Sequence, residues 1–133
     1  VKDIYKSDLY KLSEWRNENL PSFSAIKAKE VIPKNIITKE PTAELKEDQK
    51  DSDSLPPYDV LDKILYLLVE KESSINEIIS KGYEPSLVTK VQNLLYNSEY
   101  KRRQAAPGVK ISERNFGYDR RYPITNAFRD KEK

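Results

Sequence analysis

At 133 residues the chain can form one modest domain with one core, and with 37% hydrophobic against 35% charged residues that core is thin. The formal net charge of +2 points to no partner, while the absence of cysteine and histidine excludes disulfides, thiol catalysis, thiolate metal sites and the commonest general base. No stretch reads as a membrane span or a signal peptide, so a soluble, cytoplasmic protein is expected; with no methionine even at position 1, a fragment or processed piece of a longer chain is expected too.

Residues Val1 to Lys6 read as the end of an extended segment, with at most one short strand near Val1 to Ile4. Ser7 is placed to cap a helix over 7–17, with Asp8 in its first turn and Leu9, Leu12 and Trp15 or Arg16 along one face. From Asn19 to Thr38 the pattern is broken by Pro21 and Pro33, and Ile36 and Ile37 read as an anchor rather than a long element. Residues 39–57 carry three prolines, no aromatic residue and many charges, the composition of a flexible, solvated loop.

Three helices follow. Over 57–71, Val60, Leu61, Ile64, Leu65 and Leu68 repeat at helical spacing and form a wide apolar face. Over 74–81, Ser74 and Glu77 form a capping box, Ile75, Ile78 and Ile79 face inward, and Gly82 ends the helix. Over 85–101, Pro85 suits the first turn and Leu87, Val88, Val91, Leu94 and Leu95 form the buried stripe. The tail 105–133, with Pro107, Gly108, Gly117 and Pro123, has little period and reads as irregular structure draped on something larger.

Charge is unevenly distributed. Residues 40–62 hold eight acids against two lysines, a balance of −6, and residues 101–133 hold ten cations against four acids, a balance of +6. The two regions could attract each other or face different parts of one polyanionic, metal-bound ligand. The run Glu99-Tyr100-Lys101-Arg102-Arg103-Gln104 closes the best helical pattern. Three successive cations complement the negative end of a helix dipole, and they also make a strong anion site. Lys101, Arg102 and Arg103 taken alone read as a solvated helix end, Lys6 as one of many lysines, Thr42 after Pro41 as a cap or turn residue, and Asp51 and Asp53 as loop charges.

The helix pair joined at Gly82-Tyr83-Glu84, followed by basic residues, also fits a small helix-turn-helix nucleic-acid-binding module. Its outer face would offer Lys90, Gln92, Asn93, Tyr96 and Glu99, a weak set for reading bases. A third reading, a plain helical interaction domain, predicts no ligand.

The ordered set Lys2-Asp3-Ile4-Tyr5-Lys6, Pro41-Thr42-Ala43-Glu44-Leu45, Ser54-Leu55-Pro56-Pro57-Tyr58-Asp59, Tyr100-Lys101-Arg102, Pro107-Gly108-Val109-Lys110-Ile111 and Arg120-Arg121-Tyr122-Pro123-Ile124-Thr125-Asn126 resembles the C-terminal part of the glutamine-dependent NAD synthetases. The resemblance runs over nearly all of residues 1–129 and is weakest over 19–30. It implies a mainly α segment of an α/β nucleotide-binding domain of the adenine nucleotide alpha hydrolase-like, ATP-pyrophosphatase type. It implies an amide ligase that converts deamido-NAD to NAD through an acyl-adenylate. ATP would be contacted by Lys6 and Thr42, and deamido-NAD by Tyr100 and Lys101 with Arg102 in support. A mobile lid over about 40–56 would carry Glu44, Asp51 and Asp53. The family's glycine- and serine-rich pyrophosphate loop, its main Mg2+-binding glutamate and its cysteine-dependent glutaminase domain have no counterpart in this chain, so the segment alone is expected to be inactive. Its partners would be the rest of the synthetase domain and the glutaminase domain, in a homo-oligomer.

Overall fold

A computed structural model describes residues 2–39, 55–115 and 117–131, and these contain six helices and no strand. The mainly α expectation therefore holds for the described residues. Lys2 to Ile4 form no strand: with no strand for them to pair with, Asp3 instead turns its carboxylate onto the tail. Its oxygens accept from the backbone N–H of Ile111 (2.7 Å) and Ser112 (2.9 Å) and from the Ser112 hydroxyl (2.9 Å).

Two compact units make up the chain. One spans Tyr5–Tyr58 and contains α1 (Lys6–Glu18) and α2 (Lys34–Thr38). α1 starts two residues earlier than the cap rule places it. Tyr5, not Ser7, is the N-cap, in extended conformation and without a side-chain cap bond, so Ser7 lies inside the first turn. The end of α1 organises the irregular stretch that Pro21 opens. The Arg16 guanidinium donates to the carbonyls of Asn19 and Lys29 (both 3.1 Å), and the Asn17 amide works like a strand edge, accepting from Val31 and Ile32 N–H (both 3.0 Å) and donating to the Ile32 carbonyl (2.7 Å). No residue of α1 is buried, and Leu12 and Trp15 are each 49% exposed. The anchor Ile36-Ile37 forms the short α2, started by Pro33 at the N-cap.

The other unit runs from Asp59 onward and takes in the residues before Tyr5. It contains most of α3 (Tyr58–Val69) together with α4 (Ile75–Ile79), α5 (Pro85–Asn97) and α6 (Glu99–Gln104). Its core is Leu61, Ile64, Leu68 and Val69 from α3, Ile75 and Ile78 from α4, and Val88, Val91 and Leu95 from α5. The apolar stripes are narrower than their sequence pattern. Val60, Leu65, Ile79 and Leu87 are only partly buried and Leu94 is exposed, because a helix buries an arc and its flanking positions fall at the rim.

The capping box is as read. Glu77 Oε2 accepts from Ser74 N–H (2.7 Å), Ser74 Oγ accepts from Glu77 N–H (3.3 Å), and Gly82 ends the α4 region at φ +93°. Hydrogen bonds from the Ser74 backbone and hydroxyl hold the Glu77 carboxyl below its ordinary pKa. Glu84 caps α5 in the same manner, accepting from Ser86 N–H (3.0 Å) and Leu87 N–H (2.7 Å).

α5 does not run to residue 101. It ends at Asn97, and Ser98, at φ −91° and ψ 6°, separates it from α6. One carbonyl near the break, that of Leu95, accepts from the Arg102 guanidinium at 3.2 Å, whereas an uninterrupted helix would leave it to a backbone N–H four residues on. The described tail beyond α6 has no helix or strand, as expected, but it is strapped down. Asp130 accepts from Ile75 N–H at the start of α4 (2.9 Å), and Arg129 donates to Asn93 (3.0 Å) and Asn97 (2.9 Å) on α5.

Candidate functional site

α6 carries the cation run, and its side chains diverge. The buried stripe of α5 continues from Leu95 by four residues to Glu99 and by three more to Arg102, the spacing of one helix face. Glu99 is accordingly 1% exposed, and Arg102 points inward to donate from Nε (3.1 Å) and Nη2 (2.8 Å) to Glu99 Oε2. Arg103 turns to the tail and donates to the Tyr122 carbonyl at 3.1 Å. Tyr100 and Lys101 are left facing solvent. An exposed aromatic ring beside a compact ammonium can hold a flat ring that bears a negative group, by stacking and charge together.

Beneath α6 lies a cluster that sequence reasoning missed. The Arg120 guanidinium, 7% exposed, sits 4.2 Å from the Tyr122 ring centroid and 5.5 Å from that of Tyr96. Those two rings are 4.9 Å apart, and Arg129 lies 5.2 Å from Tyr96 on the same stack. Burial pushes the Tyr96 phenol up to about 12, helped by its hydrogen bond with Tyr122. Burial also lowers the Arg120 pKa, which the Arg102 charge lowers further and Tyr122, Tyr96 and Glu99 raise. Among the described residues Glu99 Oε1, Gln92 Oε1 and Arg120 Nη1 are buried without a hydrogen-bond partner. Spacing along the stripe could have flagged Glu99; nothing local marks Arg120, which meets α5 and α6 only through the folded tail.

Of the other expected site residues, Lys6 opens α1 in the Tyr5–Tyr58 unit, exposed, with Nζ 6.0 Å from the Tyr58 ring centroid. Thr42, Glu44, Asp51 and Asp53, with most of the expected lid, lie outside the described residues. The base-reading face of the helix-turn-helix alternative does not form, because Gln92 and Glu99 are buried. No helix among the described residues is long and apolar enough to cross a membrane.

The sequence profile of the NAD synthase family matches residues 1–105. The glutamine-dependent NAD(+) synthetase of Rhodobacter capsulatus is 46% identical over 131 residues, covering 98% of this chain and 24% of the relative. That of Thermotoga maritima is 48% identical over 130 residues, covering 98% of this chain and 21% of the relative. The solved glutamine-dependent NAD+ synthetase of Acinetobacter baumannii, in complex with adenosine diphosphate, superposes with a TM-score of 0.57 at 39% identity over 99% of this chain and 21% of its own. The chain thus spans less than a quarter of the length of each of these proteins.

Proposed function

The chain belongs to the NAD synthase family, and from that membership we propose that it forms the C-terminal part of the synthetase domain of a glutamine-dependent enzyme that amidates deamido-NAD. The reaction has two steps. The nicotinate carboxylate attacks the α-phosphorus of ATP, forming an acyl-adenylate and releasing pyrophosphate. Ammonia then attacks the acyl carbon, AMP leaves with the bonding electrons, and the amide remains.

In this reading Lys101 meets the negative charge of deamido-NAD and Tyr100 lies against its ring, with Arg102 in support from the inner side of α6. Both outward side chains are exposed on a helix whose inner face is fixed by a buried ion pair, which supports a site that is formed before the ligand arrives. Lys6 and Thr42 serve ATP, and the acidic residues Glu44, Asp51 and Asp53 belong to the loop that closes over it, shielding the acyl-adenylate from water. The described residues offer no group of three His, Cys, Asp or Glu side chains, and Mg2+ would be held mainly by residues outside this chain together with the ATP phosphates. In the whole enzyme these helices pack on the parallel sheet of an α/β nucleotide-binding domain, a glutaminase domain supplies the ammonia, and the protein is a cytoplasmic homo-oligomer.

The observation that carries the proposal is the family match over residues 1–105, which takes in Lys6, Tyr100 and Lys101 together. Full-length protein supplied with ATP, deamido-NAD and ammonia should yield NAD, AMP and pyrophosphate in equal amounts. Release of ADP and phosphate instead would rule out the acyl-adenylate route.

A further inference from the structure

We propose that Arg102 is a positioning residue and not a ligand contact, and that Glu99, Arg102 and the tail residue Arg120 form one buried charge cluster that fixes where α6 presents Tyr100 and Lys101. The inference rests on the reading of Tyr100 and Lys101 as the dinucleotide site and deepens it.

α6 has only six residues, too few to hold its own orientation by helix propensity. Its direction is set by restraints on two sides. On the inner side, the Arg102 fork spans Glu99 Oε2 and the Leu95 carbonyl, joining α6 to the last turn of α5. On the tail side, Arg103 holds the Tyr122 carbonyl, and Tyr122 stacks with Tyr96 of α5. The remaining arc carries Tyr100 and Lys101.

Arg102 is turned away from the outward face of α6 in this arrangement. Its side chain is 11% exposed, and Nε and Nη2 are committed to Glu99 and Leu95. A buried carboxylate stays charged only with close positive partners, so removing either member of the pair strands the other. Arg120 adds a second guanidinium to the cluster. Burial lowers its pKa and the Arg102 charge lowers it further, while the faces of Tyr122 and Tyr96 and the Glu99 carboxylate offset part of that. The tail is thereby part of the site although the family profile ends at residue 105.

The test uses full-length protein and measures the dissociation constant of deamido-NAD at several salt concentrations, alongside thermal unfolding. Lys101→Ala should weaken binding and flatten its salt dependence, because a charge that meets the ligand is lost. Arg102→Met should weaken binding roughly ten- to a hundredfold with the wild-type salt slope, because the site is misplaced and no ligand charge is removed. Glu99→Gln combined with Arg102→Met should bind no more weakly than Arg102→Met alone, because one interaction is broken twice. Arg102→Lys, which keeps the charge and loses the fork, serves if the methionine variant does not fold and should lie between wild type and Arg102→Met. Arg120→Met should weaken binding in the same direction, again without changing the salt slope.

A flattened salt slope in the Arg102 variants, or additive losses in the double variant, would make Arg102 a direct contact and overturn the inference while leaving the site reading intact. Arg102 and Arg120 variants that unfold more easily but bind normally would make the cluster merely structural and overturn it as well. A wild-type protein that does not bind deamido-NAD, or a Lys101→Ala variant that binds normally, would bring down the site reading and this inference with it.

Discussion

Lys101 is the residue on which the assignment turns, because it faces solvent next to Tyr100, while Arg102 turns inward to Glu99 and Arg103, also exposed, donates to the Tyr122 carbonyl. In the full-length enzyme Lys101→Ala should raise the Michaelis constant for deamido-NAD and lower turnover. The combined loss in specificity constant should be roughly thirty- to two-hundredfold, the upper range for a hydrogen bond to a charged group. Lys101→Arg should restore only part of it, because a planar fork does not replace a compact point charge. Lys90→Ala is the control, on an exposed position of α5, and should leave the kinetics unchanged. Equal, small effects from both alanine variants would reduce the cation run to a helix end.

The outward pair Tyr100-Lys101 was legible in the sequence as a motif. The inward turn of Arg102 was not read, although the spacing from Leu95 through Glu99 carried it, because a charged residue on a buried stripe is normally taken to mark the stripe's end. Arg120 was illegible for a different reason: its burial comes from Tyr96 and Tyr122, and Tyr96 is far from it in sequence.

Elements were legible where local chemistry decides them. Ser74 and Glu77 close a capping box, Pro85 opens α5, and Gly82 occupies the one backbone conformation that favours glycine. Ser74→Ala should therefore lower stability by about 1 kcal/mol, read as a drop in the denaturant midpoint at constant slope. The N-terminal caps of α4 and α5 also set a pH dependence. The Glu77 pKa is held down by the Ser74 backbone and hydroxyl, and that of Glu84 by the Ser86 hydroxyl, then by Ser86 and Leu87 N–H. A depressed folded-state pKa gives stability that is complete above the unfolded value, about 4.3 for glutamate, and is lost as pH falls through the lower folded value. The denaturant midpoint should accordingly fall on acidification below about pH 5. That fall should be shallower in Glu77→Gln/Glu84→Gln, and an unchanged acid limb in the double variant would remove the caps from the account. The boundary between α5 and α6 was not legible: Ser98 is no helix breaker, and the break coincides with the Arg102 side chain taking a main-chain carbonyl.

At the scale of the whole molecule, the helical character was readable from apolar periodicity, and the open apolar face of α1 is what the resemblance to one segment of a larger domain leads one to expect. Leu12 and Trp15 are half exposed, and Phe23 is 90% exposed within the same unit. In the proposed enzyme this face packs on the sheet that the rest of the synthetase domain provides. Hydroxyl-radical footprinting should find Trp15 and Phe23 reactive in the 133-residue chain and protected in the full-length protein. Equal reactivity in the two would leave the face open and contradict the α/β packing.

In the proposed enzyme this chain helps to build the site where a dinucleotide carboxylate is adenylated. Exchange of labelled pyrophosphate into ATP, measured on the full-length protein without ammonia or glutamine, tests it most directly. Exchange should require deamido-NAD, should not be supported by NAD in its place, and should fall sharply in Lys101→Ala but not in Lys90→Ala. Exchange that proceeds without deamido-NAD, or that is untouched by Lys101→Ala, would contradict it.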